Sequence, residues 1–252
     1  MLKQTKPEIL SYLWLAIENG NNLLFYSETE TSKNHVLVDF ANFIPTWKRL
    51  LAVNMENNEL KKRRTTASLT TNKNYSFNEL KNLIHFDIDA LILPDIHKRN
   101  MQNFIQLCNY GLSLLATCDV LNTYKPLITQ MRDKPIRLQL NDISLIDLAI
   151  FIKRNKEGFD RIHSITEYNW LNKAEIDYNS ENNFENHFKT KRILENDLLD
   201  ANKFKDSKVI KSYSDSYLIT KNDCLDELDK RTEFLKSVEN APYLANKYFE
   251  IE

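Results

Sequence analysis

Glycine is nearly missing from this chain: Gly20, Gly111 and Gly158 are the three in 252 residues. Glycine is what lets a backbone take positive φ and wrap closely around a phosphate, so its scarcity argues against a glycine-rich phosphate cradle. Cysteine is almost as scarce. Cys108, Cys118 and Cys224 are odd in number and widely spaced, which excludes a disulfide framework or a paired zinc site and fits reduced thiols in a cytoplasmic chain. The five histidines form no H-x-x-x-H or H-E-x-x-H pattern, so no metal is expected. No apolar run approaches the roughly 20 residues that cross a membrane as a helix. The start, MLKQTKPEILSYLWLAIENG, reads as an amphipathic helix beginning after Pro7 rather than as a secretory leader. A formal net charge of −1 lacks the basic excess that nucleic-acid binding calls for.

What is present suits a packed core. Hydrophobic residues make up 42% of the chain, too many for a disordered one, and the length allows one large domain or one domain with an appendage. Apolar runs at Leu23–Tyr26, Leu50–Val53, Ile88–Leu93, Leu112–Cys118 and Leu145–Ile152 alternate with helical candidates near Lys33–Phe43, Phe77–His85, Lys98–Asn109 and Asn122–Arg132. Continuously apolar strands separated by helices predict an α/β fold: a mainly parallel sheet covered on both faces. Character changes after Trp170. Asn172–Asn186 is rich in Asn, Glu and Asp and reads as loop or weak hairpin. Helices are expected at Ala201–Ser214 and Asn222–Glu239. The second carries a stripe of Leu225, Leu228, Phe234, Leu235 and Val238, with Asp223 or Asn222 as N-cap.

The stretch Leu23–Phe43, LLFYSETETSKNHVLVDFANF, runs from an apolar strand through a short polar loop into a helix. A phosphate-binding loop at such a place reads G-x-x-x-x-G-K-[ST]. The aligned octet is Ser27, Glu28, Thr29, Glu30, Thr31, Ser32, Lys33, Asn34, in which only the lysine is kept. On the residues alone, Lys33 reads as a surface lysine at a helix start.

In segment order the chain resembles the C-terminal RecA-like domain of the archaeal branch of the type II/type IV secretion ATPases, the motors of type IV pili and archaella. PEILSYLWLAIENGNNLLF, Pro7–Phe25, is similar to the family's leading helix and first strand. IDALILPDIHKRNMQNFIQLCNYGLSLLATCDVLNTYKPLITQM, Ile88–Met131, follows the order of its Walker B strand, helix, glycine-bearing turn at Gly111, histidine-box strand and next helix. Asp133–Arg154 and Arg161–Leu171 look like its next two strands, and Ser207–Val238 like its closing helices. The resemblance covers nearly the whole chain and implies a RecA-like core over residues 1–170, with a C-terminal appendage of hairpin and helices over 171–252.

The short motifs that carry the family's chemistry are the parts that fail. The loop positions Ser27, Thr31, Ser32, Lys33 and Asn34 make a degenerate nucleotide site. Each ordinary residue held at positive φ costs about 1–2 kcal/mol. Glu28 or Glu30 set roughly 5 Å from a phosphate, at an effective dielectric near 20, adds repulsion of about 3 kcal/mol. Asn34 stands where a Ser or Thr hydroxyl would ligate Mg²⁺. In the acidic box, Val53–Asn54–Met55–Glu56, Asn54 cannot act as a base, and Glu56 could substitute only if the register slips; an exposed loop glutamate is the other reading. At Walker B, Pro94–Asp95–Ile96–His97 replaces G-E-[VIL]-R; Asp95 keeps a carboxylate, and it also suits an N-cap for a helix near Lys98. At the histidine box, Ala116–Thr117–Cys118–Asp119 has Asp119 in the histidine's place, where it could cap a helix from Asn122. Lys61, Lys62, Arg63 and Arg64 occupy a loop that in the family reaches a neighbour; a solvated loop or an anionic-lipid contact is the other reading.

The resemblance therefore implies a pseudo-ATPase with no catalytic residues and no cofactor. It would be a structural or regulatory subunit whose partners are homologous active ATPase subunits or a membrane platform protein. Its expected location is the cytoplasm, or the inner face of the membrane as a peripheral protein. The rival expectation is a weak ATPase completed by a partner, using ATP and Mg²⁺ with Lys33 and Asp95. A free-standing binding module is the third, since fold does not fix function.

Overall fold

The computed structural model describes residues 5–27, 33–55, 60, 66–69, 80–82, 87–97, 100–119, 126–170, 188–195 and 198–238. Among them, nine strands form one sheet in the order β3-β2-β4-β5-β1-β6-β7-β8-β9. These are β1 Leu23–Ser27, β2 Leu50–Val53, β3 Thr66–Leu69, β4 Ala90–Ile96, β5 Ser113–Asp119, β6 Leu148–Arg154, β7 Asp160–Trp170, β8 Phe188–Glu195 and β9 Leu198–Leu199. Every pairing from β3 to β6 is parallel; β6–β7, β7–β8 and β8–β9 are antiparallel. The expected neighbours Leu50–Val53, Ile88–Leu93, Leu112–Cys118 and Leu23–Tyr26 thus lie side by side as β2, β4, β5 and β1. The strands of the second and third runs begin one or two residues late.

Alternation along each strand separates two cores. Leu23, Phe25, Ile92, Leu115, Leu148 and Ile150 point to one side. Leu24, Leu91, Leu93, Leu114, Ala116 and Ala149 point to the other. The first side is covered by α1 Pro7–Glu18, α2 Lys33–Ala41 and the closing helices α7 Lys208–Tyr217 and α8 Lys221–Ser237. The second is covered by α3 Met101–Cys108, α4 Leu127–Arg132 and α5 Leu140–Ile143.

α1 departs from its amphipathic expectation: every residue from Ile9 to Glu18 is buried. The helix lies between the sheet and α8, so its polar side chains are used inside. Ser11 Oγ meets Thr232 Oγ1 at 2.8 Å, and Trp14 packs on Phe43 and Phe234. Pro7 opens the helix, where a missing N–H is harmless. Gly20, at φ 83, closes it. Its N–H reaches Ile17 O at 3.1 Å while Asn21 N–H reaches Ala16 O at 3.0 Å, the paired bonds of a Schellman stop that only glycine enters without strain.

Three helix assignments need correction. The stretch Ala201–Ser214 is two helices, α6 Ala201–Lys205 and α7, because Ser207 restarts the chain as an N-cap, its hydroxyl accepting from Ile210 N–H at 3.1 Å. The N-cap of α8 is Thr220, not Asp223 or Asn222. Thr220 and Asp223 close a reciprocal capping box. The stripe that α8 buries is Cys224, Leu228, Arg231, Thr232 and Leu235, with Leu225, Phe234 and Val238 at its margin. The helix expected at Phe77–His85 falls mostly outside the described residues, of which 80–82 are helical. Asn172–Asn186 lies outside them altogether.

Candidate functional site

In an open sheet with helices on both faces, ligands bind in the crevice beyond the carboxyl ends of the parallel strands. Four adjacent strands bring Asn54, Asp95, Asp119 and Ser27 to that edge. Asn54 follows β2, half-buried, at φ 51. Asp95 is exposed near the end of β4, also at φ 51. Asp119 closes β5, exposed, in register with fully buried Ser27 at the end of β1.

The backbone at Asp95 is fixed by its neighbours. Pro94 has no N–H to give a ladder, so a proline inside a strand falls at an edge or a bulge. The β4–β5 register slips there: Leu93 pairs with Ala116 and Ile96 with Cys118, leaving one extra residue in β4. The displaced N–H of Asp95 is taken up by the buried hydroxyl of Thr117, which accepts it at 2.8 Å. Asp and Asn are the non-glycine residues that tolerate positive φ best, which suits Asp95 and Asn54 to these places. Asp95 is therefore a strand residue; residues 98–99, where the capped helix is expected to begin, lie outside the described ones, and the next described α-helix runs from Met101 behind Asn100. Asp119 likewise ends a strand; the helix expected from Asn122 begins in residues 120–125, outside the described ones, and the first described helix beyond them is Leu127–Arg132 behind Pro126.

The remaining expected site residues are placed only in part. Ser27 ends β1 and Lys33 opens α2, so the octet Ser27–Asn34 spans the strand-to-helix junction. Thr31 and Ser32 lie outside the described residues, as do the side chains of Lys33 and Asn34. Glu56 and Lys61, Lys62, Arg63 and Arg64 are outside as well. His97 is exposed just past β4.

At Asp119 is a shallow hollow of about 10 Å³, lined also by Met101, Cys118, Leu127 and Met131 with Gln130 as a second polar wall. That is below the roughly 300–1,000 Å³ of ordinary ligand pockets. Among the described residues no group of three or more His, Cys, Asp or Glu could hold a metal ion. The three cysteines are buried and none is in a disulfide, and burial pushes the Cys108 thiol well above its usual range.

Sequence reasoning missed three polar side chains that the structure buries at junctions. Thr117 is one. Glu167, in β7, is fully buried against Tyr12 of α1. Arg231, in α8, is 2% exposed; its Nη1 meets Glu18 Oε2 at 2.6 Å and its Nε meets Glu227 Oε1 at 2.8 Å. Its Nη2 donates to the Tyr213 hydroxyl at 3.2 Å and its guanidinium lies 4.8 Å over the Trp14 ring. Burial alone would lower the Arg231 pKa, but Glu18 and Glu227 outweigh it and hold the charge. Spacing offered a signal for Arg231: it falls on the Cys224–Leu228–Leu235 stripe at helical intervals. For Thr117 the signal was a hydroxyl inside an apolar strand next to one that contains proline.

No protein-family model matches the chain. No curated protein matches it. Solved structures do. The VirB11 ATPase of the Brucella suis type IV secretion system, solved in complex with sulphate, is 13% identical with a TM-score of 0.52, over 62% of this chain and 51% of that one. The Legionella pneumophila ATPase DotB is 11% identical with a TM-score of 0.47, over 64% of this chain and 51% of that one. The chain spans about half the length of these structures. At such identities the likeness is one of fold. This is a RecA-like α/β sheet of the kind found in a secretion ATPase. No described helix is long and apolar enough to cross a membrane.

Proposed function

We propose that this chain is a degenerate homologue of the secretion and type IV pilus ATPases and acts as a non-catalytic subunit, structural or regulatory, of an archaeal pilus, archaellum or secretion motor. One observation carries the reading. At the ends of four adjacent parallel strands stand Asn54, Asp95, Asp119 and Ser27, a set that includes two exposed carboxylates. Phosphoryl transfer depends on stabilising negative charge on the transferred group, and Asp119, in the place that the resemblance gives to a histidine, adds negative charge there instead. The resemblance of segment order supports the family, and the shared fold is consistent with it. Residues 1–170 would form the ATPase-type core and 171–252 the appendage. The partners would be active homologous ATPase subunits or the membrane platform protein they drive, met in the cytoplasm or at the inner face of the membrane. No ATP or Mg²⁺ is then required.

The test is co-expression with an intact homologous ATPase from the same source. A stable joint assembly whose turnover resides wholly in the partner supports the proposal. Steady turnover by this chain alone, or no association with any homologous ATPase or platform protein, speaks against it. A second reading, a weak ATPase completed by a partner, is favoured by the bulge that keeps the Asp95 carboxylate at the strand end. In that case Asp95→Asn should abolish turnover by the joint assembly when the partner's own site has been inactivated.

A further inference from the structure

Glu167 occupies a place where a carboxylate is costly. It lies mid-strand in β7, fully buried, opposite Leu148 of β6 and Lys191 of β8. Its Oε1 accepts the Tyr12 hydroxyl of α1 at 2.7 Å and, at 3.4 Å, the backbone N–H of Val209 in the first turn of α7. Its Oε2 is buried and has no hydrogen-bond partner. One side chain thus joins the sheet, the central helix α1 and the start of the closing helices.

The charged and titratable groups around it come from every packed element. α1 supplies Tyr12. α7 supplies Lys208, whose ammonium is taken by Asp147 just before β6 at 2.5 Å. β8 supplies Lys191, whose ammonium donates to the Asp206 carbonyl at 2.7 Å. Both lysines are thus engaged elsewhere. The groups that favour the ionised carboxylate are the Tyr12 hydroxyl, the α7 amides and, at a distance, Lys191; burial opposes them and prevails, so the carboxyl titrates above its ordinary range.

We propose that Glu167 is a proton-operated latch: neutral, it keeps the first turn of α7 docked on β7 and α1; ionised, with one buried oxygen left without a donor, it loosens that turn and the α7–α8 pair behind it. The sign follows from linkage. A group whose pKa is raised on folding gives its full stabilisation below the unfolded value, near 4.3 for glutamate, and loses it as pH rises to the folded value. α7 should therefore open more easily as the medium becomes less acid, up to that pH, and no further above it.

Hydrogen exchange of the amides of residues 207–214, corrected for intrinsic rate and followed from pH 4 to 9, tests this. Relative to Glu167→Gln, the unaltered protein should open about tenfold more per pH unit and then level off at the folded pKa. Tyr12→Phe removes a donor to the ionised form but keeps the ring, so levelling off should move to higher pH. Parallel curves for the unaltered protein and Glu167→Gln would overturn the latch, and so would a downward move in Tyr12→Phe. If Glu167→Gln fails to fold, the ¹³C carboxyl shift of Glu167 in the unaltered protein replaces it: its midpoint must coincide with the exchange curve's, and a mismatch refutes the proposal.

Discussion

The hydroxyl of Thr117 accepts the backbone N–H of Asp95 across two adjacent strands, 2.8 Å apart, and so fixes the bulge at which β4 ends. Removing the acceptor leaves a partly buried N–H without its partner, at a cost of about 1–3 kcal/mol. Thr117→Val, which keeps the branched shape, should therefore lower the unfolding free energy measured in urea by that amount. Thr117→Ser, which keeps the hydroxyl, should lose less. Equal losses in the two variants would show that packing rather than the hydrogen bond matters at this position.

Arg231 bridges Glu18 and Glu227 with almost no exposure to solvent. Removing the cation takes the ion partner from nearly buried Glu18, while Glu227 keeps Lys230 at 3.8 Å, so Arg231→Ala should cost about 3–5 kcal/mol in equilibrium unfolding. Neutralising Glu18 as well removes the buried charge. Arg231→Met combined with Glu18→Gln should thus be more stable than Arg231→Met alone, a coupling that a double-mutant cycle measures directly.

The cap of α8 supplies a pH signature at the acid end. The Thr220 hydroxyl and then its backbone N–H hold the Asp223 carboxyl below its ordinary 3.8. A lowered folded pKa gives stabilisation that is present above the unfolded value and lost as pH falls through the folded one. Thr220→Ala should lower the melting temperature at pH 7, and the difference from the unaltered protein should shrink below pH 3.8. A difference that stays constant to pH 2 would mean that Asp223 takes no part in the cap.

The strands that form the buried centre of the sheet were legible because they are covered on both faces and must be continuously apolar. β3 and β8 were not. Ala67 of β3 is exposed, and β8 reads FKTKRILE. Outer strands are held by backbone pairing to a neighbour and need no apolar run. The same limit hid the buried ions. Arg231 and Glu167 look like surface charges in a sequence, since the partners that allow their burial, Glu18 and Tyr12, are far away along the chain. The reverse error concerned Asp95, whose residue type suits a cap. The neighbouring Pro94 decides for a bulge instead, and the donor that the bulge displaces finds its acceptor only in three dimensions.

Restoring the loop separates fold from chemistry. Ser27→Gly, Glu28→Gly, Ser32→Gly and Asn34→Thr together return the backbone freedom, remove a charge and add a hydroxyl for Mg²⁺. On a RecA-like strand-to-helix junction this should produce measurable Mg-ATP binding without turnover, because Asn54 and Asp119 still lack the catalytic groups. Turnover in this variant would mean that the other motifs are more competent than their residues suggest.

The most direct measurement is a calorimetric titration of the purified, unaltered chain with Mg-ATP, run beside Lys33→Ala. The expected result is binding no tighter than about millimolar, a free energy near −4 kcal/mol, with no phosphate released above background and no change in Lys33→Ala. Micromolar binding or steady hydrolysis, abolished by Lys33→Ala, would contradict the non-catalytic reading and establish the chain as an ATPase in its own right.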